Sequence, residues 1–294
     1  MPLTDLQSES PYLRLYHQAK RLAWNPVDID LSHDRASWEH IQRDYATEQY
    51  AQQILQLSAL FHAGEESVTH TLSPFLSAIA RAGLGIDREL FLTSQLFEEA
   101  KHFEFFSRYV REVFGQDPAS LAHLVAAAPH AVLIEDLDHV ATRLRHEDDV
   151  TRLRPLLVEG LTHYMGVVEA MLARTGYVGA HEALAARGWL PGLQEGFRLI
   201  RRDEGRHVAF GIRMIRDLCA ETPAHAEIVM DTFNRHLPNV LATVQTFNFP
   251  HPIVDLEKLQ HFAIGAYQQF VAAAGLSDDA DALTALEAEL AAHE

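Results

Sequence analysis

The sequence has one cysteine and no long apolar run, and both absences exclude classes of protein. Cys219 is the single cysteine among 294 residues, so the chain can form neither an internal disulfide framework nor a cysteine-rich zinc or iron-sulfur site. No run of about 18 apolar residues occurs, and the N-terminus lacks the basic start and apolar core of a leader sequence. We therefore expect a cytoplasmic protein without membrane insertion.

Basic residues are also scarce. Lys and Arg number 24 against 41 Asp and Glu, which gives a formal net charge of -17. Such a surface is repelled by the phosphates of nucleic acids and of anionic membranes, so we expect neither as a partner. Hydrophobic residues make up 48% of the chain, which is enough for a sizeable core. No segment has the period of a strand, and the sequence predicts an all-α protein.

Apolar residues recur at helical spacing along most of the chain, and single carboxylates interrupt these apolar stripes. An isolated ionised carboxylate in an apolar interior is costly, and bound cations would remove that cost. Glu66, which follows Glu65 in the sequence, lies about 100° from it around the helix and falls outside the apolar stripe that contains Glu65. Four carboxylates face inward by this criterion, namely Glu65, Glu99, Glu169 and Glu204.

Two of the four carboxylates belong to a repeated Glu-x-x-His motif. The first copy is Glu99 with His102 and the second is Glu204 with His207. The spacing of three residues brings both side chains to one side of a helix. A single copy usually marks a solvated pair or a core histidine. Two copies in phase with apolar stripes, with one further carboxylate on each of two other helices, predict a carboxylate-bridged dimetal site in a four-helix bundle.

The positions that must meet at such a site run from 65 to 207, so we expect a single domain over residues 1–294. Its N-terminal part, 1–35, lacks a sustained helical period and is expected to form an extended arm. Residues 36–220 would supply the metal-binding helices, and 221–294 would form accessory C-terminal helices that end in an amphipathic helix over 286–294. Because thiolates are absent, manganese and iron suit the site better than copper(I) or structural zinc.

With these residues in hand, the chain resembles the ferritin-like superfamily of the ribonucleotide reductase small subunit. It is most similar to the ligand-binding oxidases with a manganese/iron cofactor. The resemblance covers roughly residues 10 to 250. The matching segments are Trp24-Asn25-Pro26, Asp28-Ile29-Asp30, Gly64-Glu65-Glu66-Ser67-Val68-Thr69, Glu98-Glu99-Ala100-Lys101-His102, Tyr164 with Glu169, and Asp203-Glu204-Gly205-Arg206-His207.

The resemblance implies an assignment of the ligands. The first metal would be bound by Glu65, Glu99 and His102. The second metal would be bound by Glu169, Glu204 and His207. Glu99 and Glu204 are the candidate bridging ligands.

Two further residues are expected behind the ligands. Asp203 can accept a hydrogen bond from a metal-bound imidazole; its alternative is a salt bridge with a neighbouring arginine. Trp24 and Asp203 match the electron route of the reductase family, which leaves room for an external electron donor, although core packing is the simpler role for Trp24.

Val68 and Tyr164 are ordinary core residues on the physics of the sequence alone. In the oxidases that the chain resembles, an ether bond links a valine side chain to a tyrosine oxygen, and a long-chain fatty acid binds at the metals in an apolar channel. The resemblance implies Val68 and Tyr164 as this pair. Tyr164 and Glu169 are five residues apart, about 140° on a regular α-helix, so a shared face requires a π-bulge between them.

Phe106 stands where a reductase subunit would carry its radical tyrosine, and phenylalanine cannot store that radical. The resemblance therefore implies an oxidase that would use dioxygen at a Mn/Fe site to remove hydrogen from an unactivated C–H bond, including the Val68–Tyr164 cross-link. Two other interpretations stay open. One is a di-iron monooxygenase or reductase-like protein without the cross-link, and the other is a non-catalytic carrier of metal or lipid. A homodimer is expected from the resemblance alone.

Overall fold

The chain is helical throughout the part that the structure describes. This computed structural model describes residues 6, 10–125, 129–277 and 281–285, and no strand occurs among them. The helix expected over 286–294 lies outside these residues. The α-helices are α1 (Pro11–Arg21), α2 (Asp34–Asp44), α3 (Tyr50–Arg81), α4 (Ile86–Tyr109), α5 (Pro129–His146), α6 (Val150–Leu161), α7 (Arg174–Ala185), α8 (Pro191–Glu221), α9 (His225–Gln245) and α10 (Leu256–Ala273).

The N-terminal segment differs from the predicted extended arm, because it contains α1. Ser10 accepts a hydrogen bond from the backbone at the start of this helix, and Pro11 occupies its first turn, where proline costs no hydrogen bond. Tyr12 is buried as α1 packs against α4 and α8. Tyr12, Leu15, Tyr16 and Ala19 recur at helical spacing within these 11 residues, and the sequence analysis missed this short signal.

Four long helical rods form the core. Three of them are α3, α4 and α8, and the fourth runs without a break through α6 and α7 over Val150–Ala185. The helices α3 and α4 pack along each other, α8 packs along the fourth rod, and α9 and α10 cover the outside of that rod. The prediction of an all-α four-helix bundle with additional helices is therefore confirmed.

The fourth rod is apolar enough to cross a membrane, but 83% of its most apolar window is buried inside the fold. Its apolar character thus comes from its place in the protein core. Between α6 and α7, over Thr162–Ala173, it winds as a π-helix. A π-helix has more residues per turn than an α-helix, so Tyr164 and Glu169 both turn towards the bundle axis. The predicted π-bulge is confirmed.

The π segment approaches α8 closely at Gly211. A Cβ atom added at Gly211 would lie 2.3 Å from Cβ and 2.5 Å from Cγ of Met165. Because Cβ is fixed to the backbone, Met165 cannot rotate away from such a contact. A larger residue at position 211 would therefore have to push the π segment away from α8.

We expect Gly211→Ala to lower the free energy of unfolding by about 1–3 kcal/mol, the usual cost of overpacking a well-filled core. The control is Gly265→Ala in α10, where no atom outside the local helix lies within 4 Å of the added Cβ; alanine there should stabilise by about 0.5–1 kcal/mol. Denaturant titration of both variants measures the difference. Equal unfolding midpoints would contradict the close approach of α8 and the π segment.

Candidate metal centre

The structure brings all six predicted ligands together at the middle of the bundle. One carboxylate comes from α3, one from the π segment, and a Glu-x-x-His pair from each of α4 and α8. Every one of these side chains is at most 5% exposed. Glu66, which the pattern places outside the stripe, is exposed. The six buried residues are Glu65, Glu99, His102, Glu169, Glu204 and His207.

Their ligand atoms form two groups, each with all its atoms within 4.8 Å of one another. The first group contains Glu65, Glu99, His102 and Glu204, and the second contains Glu99, Glu169 and His207. Glu99 belongs to both groups, which is the position of a bridging carboxylate. Glu204 was expected at the second metal and as a candidate bridge; it falls in the first group, where its Oε1 lies 3.5 Å from Nδ1 of His102.

Both imidazoles turn Nδ1 towards this cluster. Neither Nδ1 atom has a hydrogen-bond partner among the described residues, and the same is true of Oε2 in Glu169 and in Glu204. Buried polar atoms are nearly always bonded, so four such atoms facing one space require an occupant. Carboxylate oxygens and neutral imidazole nitrogens are ligands of manganese and iron. The residues present therefore fit a dimetal centre.

The pKa values of the cluster reflect its burial and the crowding of its carboxylates. Burial raises the pKa of Glu169 to about 8, although the charge of His207 opposes this shift. Burial and the neighbouring carboxylates Glu169 and Glu99 raise the pKa of Glu204 well above its usual value. Burial lowers the pKa of His102, but Glu65 and other carboxylates outweigh it and raise that pKa well above its ordinary value. The cluster thus retains protons that cations would displace.

The two motifs support each other's histidines across the bundle. His102 of α4 has Nε2 at 3.2 Å from Oδ2 of Asp203 on α8, which is the hydrogen bond predicted for Asp203. His207 of α8 has Nε2 at 2.9 Å from Oε2 of Glu98 on α4. These carboxylates hold the proton on Nε2 and leave the inward Nδ1 free to bind a metal.

Glu98 was missed by the sequence analysis, although a signal was present. An acidic residue precedes the ligand glutamate in both motifs, and a basic residue precedes the histidine in both. In the structure, Lys101 Nζ lies 3.2 Å from Oδ2 of Asp203, and Arg206 Nη2 lies 2.6 Å from Oε1 of Glu98. Arg206 also forms a salt bridge with Asp203. Asp203 therefore has both of the contacts considered for it, the salt bridge to a neighbouring arginine and the hydrogen bond with His102.

Trp24 connects this outer layer to the protein surface. Its Nε1 donates a hydrogen bond of 2.7 Å to Oδ2 of Asp203, and its ring stacks at 6.1 Å from that of His102, with 17° between the planes. The ammonium of Lys101 lies 4.7 Å from the centre of the Trp24 ring. The half-buried indole of Trp24 is therefore connected by hydrogen bonds through Asp203 to the candidate metal ligand His102.

Two side chains hold the inner face of Glu99 and Glu169. Tyr164 donates a hydrogen bond of 2.8 Å to Oε1 of Glu99, and Gln95 donates one of 2.9 Å to Oε1 of Glu169. Burial, with the charge of Glu99, raises the pKa of Tyr164 well above its ordinary value, so the phenol stays protonated. Gln95 was missed by the sequence analysis, although it stands four residues before Glu99 on the same helical face.

Tyr177 was also missed. Its hydroxyl donates to Oε1 of Glu65, and its ring stacks on Phe61 at 4.1 Å. Phe106 packs nearby, with its ring 6.4 Å from that of Tyr177. The absence of a tyrosine at position 106 therefore does not leave this side of the cluster without a phenol, because α7 supplies one.

An apolar cleft leads to the cluster. The space between its walls amounts to about 860 Å³, which includes space open to solvent, and Glu65, Glu99, Glu169 and Glu204 are among its lining residues. Its walls come from α3, α5, the π segment, α7, α9 and α10, and Val68 of α3 is one of the wall residues. Apolar side chains of the wall include Leu57, Phe61, Leu172, Val244, Phe247 and Leu259.

We expect Glu65→Gln to lower the metal content from two ions per chain towards one, because the second group of ligands does not include Glu65 and an amide cannot neutralise a cation. The matched control is Glu66→Gln, which changes the adjacent exposed residue and should leave the metal content unchanged. Metal analysis of both variants after loading with manganese(II) and iron(II) measures this. Equal metal content in the two variants would contradict the assignment of Glu65.

Metal binding should release protons and become tighter as the pH rises. The ligands bind metals in their deprotonated form, and the raised pKa of Glu169, about 8, extends this dependence to about pH 8. Calorimetric titration of the metal-free protein with manganese(II), in two buffers with different heats of ionisation, counts the protons. Heats that are independent of the buffer would contradict the protonated state of the empty cluster.

The comparisons with known proteins agree with this geometry. The family model of the ribonucleotide reductase small chain matches residues 9–273. A valine-to-leucine variant of an R2-like ligand-binding oxidase with an anaerobically reconstituted Mn/Fe cofactor is 30% identical over 89% of this chain and 92% of that chain, with a TM-score of 0.79. A glycine-to-leucine variant with the same kind of cofactor is 29% identical over 91% and 94%, with a TM-score of 0.80. The predicted ferritin-like fold is thus confirmed, and the chain belongs to the ribonucleotide reductase small-chain family, among the R2-like ligand-binding oxidases.

Proposed function

We propose that this protein is a dioxygen-dependent oxidase with a manganese/iron cofactor that forms an ether cross-link between Val68 and Tyr164. The observation that carries the proposal is the hydrogen bond of 2.8 Å from the Tyr164 hydroxyl to Glu99. Glu99 is the residue shared by both groups of ligands. The phenol is thus held at the middle of the candidate dimetal site, and the cleft that ends at this site includes Val68 in its wall.

The cross-link balances as a two-electron oxidation of the protein. A C–H bond of the Val68 side chain and the O–H bond of Tyr164 are broken, a C–O bond forms, and two hydrogens leave the protein. When bound, the metals would supply the dioxygen chemistry: reduction of one dioxygen to two waters takes four electrons and four protons, of which the cross-link would give two of each and the reduced metals and solvent the rest. Glu99 accepts the hydrogen bond from the phenol and is therefore the nearest acceptor for its proton.

The surrounding residues hold the reacting groups in place. Tyr164 and Val68 are each at most 4% exposed, so water is excluded from the bonds that react. Gln95 holds Glu169 beside Tyr164. The π segment turns the phenol towards Glu99, and the contact of Met165 with Gly211 fixes this segment against α8.

The proposed ligand is a long-chain fatty acid or a similar apolar carboxylate. The cleft is lined by apolar side chains together with the four glutamates of the candidate metal site, and a fatty acid likewise combines an apolar chain with one group that can bind metals. Its carboxylate would lie at the metals and its chain along α3, α7 and α9. The similar solved structures are themselves described as ligand-binding oxidases.

A reductase-like protein is the second candidate, and Tyr177 favours it. A buried phenol that donates to the candidate ligand Glu65 is placed to lose an electron to the metal site. This candidate predicts a tyrosyl radical that is lost in Tyr177→Phe. It also predicts that Val68 and Tyr164 stay unlinked.

We expect protein reconstituted with manganese(II) and iron(II) in air to lose two hydrogens. Protease digestion and mass spectrometry should then find one joined peptide that contains Val68 and Tyr164. The variant Tyr164→Phe lacks the reacting oxygen, so it should keep its metals without forming the link. The control Tyr177→Phe removes the other phenol of the site and should retain the link. Separate peptides at full metal loading in the unmodified chain would reject the cross-linking oxidase and leave the monooxygenase, the reductase-like protein or the carrier.

A further inference from the structure

The apolar cleft contains two buried polar side chains that the candidate metal site does not use. They are His130 on α5 and Thr175 on α7. His130 is 5% exposed and Thr175 is 1% exposed. Within the described ranges, Nδ1 of His130 and Oγ1 of Thr175 have no hydrogen-bond partner. Since buried polar atoms are nearly always bonded, two unbonded ones on the wall of one cleft indicate a polar group of the occupant.

The other polar side chains of the wall are already bonded. Thr243 donates to the backbone oxygen of Asn239 in its own helix, and Tyr177 donates to Glu65. A threonine in a helix commonly bonds to its own backbone in this way, and Thr175 does not do so within the described chain. Unlike Thr243 and Tyr177, His130 and Thr175 therefore each have a polar atom that can still bond to a ligand.

Gly64 keeps open the space beside His130. A Cβ atom at this glycine would lie 3.6 Å from Nε2 and 3.9 Å from Cε1 of His130, so any larger side chain would fill the space against the imidazole. Gly64 directly precedes Glu65. The imidazole of His130 thus lies beside the backbone of α3 next to the candidate metal ligand Glu65.

The imidazole of His130 suits a neutral partner. Burial lowers the pKa of His130 to about 4, so the ring is uncharged at neutral pH and offers one donor and one acceptor nitrogen. A hydroxyl group can donate to or accept from such a ring, and it can do the same with Thr175. A plain hydrocarbon chain can do neither and would leave both side chains unpaired.

We propose that the cleft is selective for a long-chain carboxylic acid that carries a hydroxyl group within its chain, and that His130 and Thr175 each offer a hydrogen bond to a hydroxyl at their own position along the cleft. The inference rests on the proposed function, which places the carboxylate at the metals and the chain along the cleft. It adds a second point of recognition. The carboxylate sets the direction of the ligand, and the hydroxyl sets how far along the cleft the chain lies.

The test measures binding to the manganese(II)-loaded protein without oxygen, so that no turnover occurs. Octadecanoic acid and a series of hydroxyoctadecanoic acids that differ in the position of the hydroxyl compete against a fluorescent fatty acid. At least one positional isomer should bind about tenfold more tightly than octadecanoic acid, which corresponds to about 1.4 kcal/mol. Isomers with the hydroxyl far from His130 and Thr175 should lack this advantage, because their hydroxyl is buried against apolar wall.

Three variants test which residues cause the preference for the hydroxy acid. His130→Phe and Thr175→Val remove the hydrogen-bonding atoms at similar side-chain volume, and each should reduce the preference for the hydroxy acid while octadecanoic acid binds as before or more tightly. Thr243→Val is the matched control, since it removes a hydroxyl of the same cleft that is bonded to its own helix. It should leave the preference unchanged.

The outcomes separate this inference from the proposed function. Equal affinity for octadecanoic acid and every hydroxy isomer would overturn the inference and leave the proposed ligand class intact. A preference that survives in both His130→Phe and Thr175→Val would overturn the assignment of these residues. Failure of every acid to bind the metal-loaded protein would overturn the proposed ligand itself, and the inference with it.

Discussion

The structure depends on the compensation of charge inside an apolar bundle. Four glutamates lie within a cluster that is almost completely shielded from water, and four ionised carboxylates cannot coexist there without cations. Without cations, carboxyl groups of the cluster stay protonated instead, as the raised pKa of Glu169 indicates. The same burial that makes the cluster costly also favours metal binding, because the neutral donors Tyr164, Gln95 and Tyr177 bond to its oxygens but cannot neutralise their charge as cations would.

Positive charge is also supplied from behind the cluster. The motifs on α4 and α8 each carry an acidic residue before the ligand glutamate and a basic residue before the histidine, and these pair across the two helices. Each imidazole is therefore oriented by the opposite motif. The two helices function as one unit, and substitutions in the two motifs should not be additive.

The π segment adapts the fourth rod to the site. It places Tyr164 and Glu169 on one side of the helix, where a regular α-helix would separate them, and it brings Met165 against Gly211 of α8. The wider turn also belongs to the wall of the apolar cleft through Val168 and Leu172. A local irregularity of the backbone thus connects the metal ligands, the phenol and the space for a ligand, as is common for π-bulges at functional sites.

The sequence by itself determined which residues face inward, because the period of a helix relates each side chain to the apolar stripe. It identified the six cluster residues and placed Glu66 outside, and the family resemblance, by pairing Tyr164 with Glu169, implied a π-bulge between them. Only the tertiary structure decided which helix faces which and at what register. The pairing of Glu98 with His207, the position of Glu204 beside His102 and the hydroxyl of Tyr177 follow from that packing. Helical periodicity fixes the face of one helix, but contacts between helices depend on their relative rotation and translation, which no local pattern encodes.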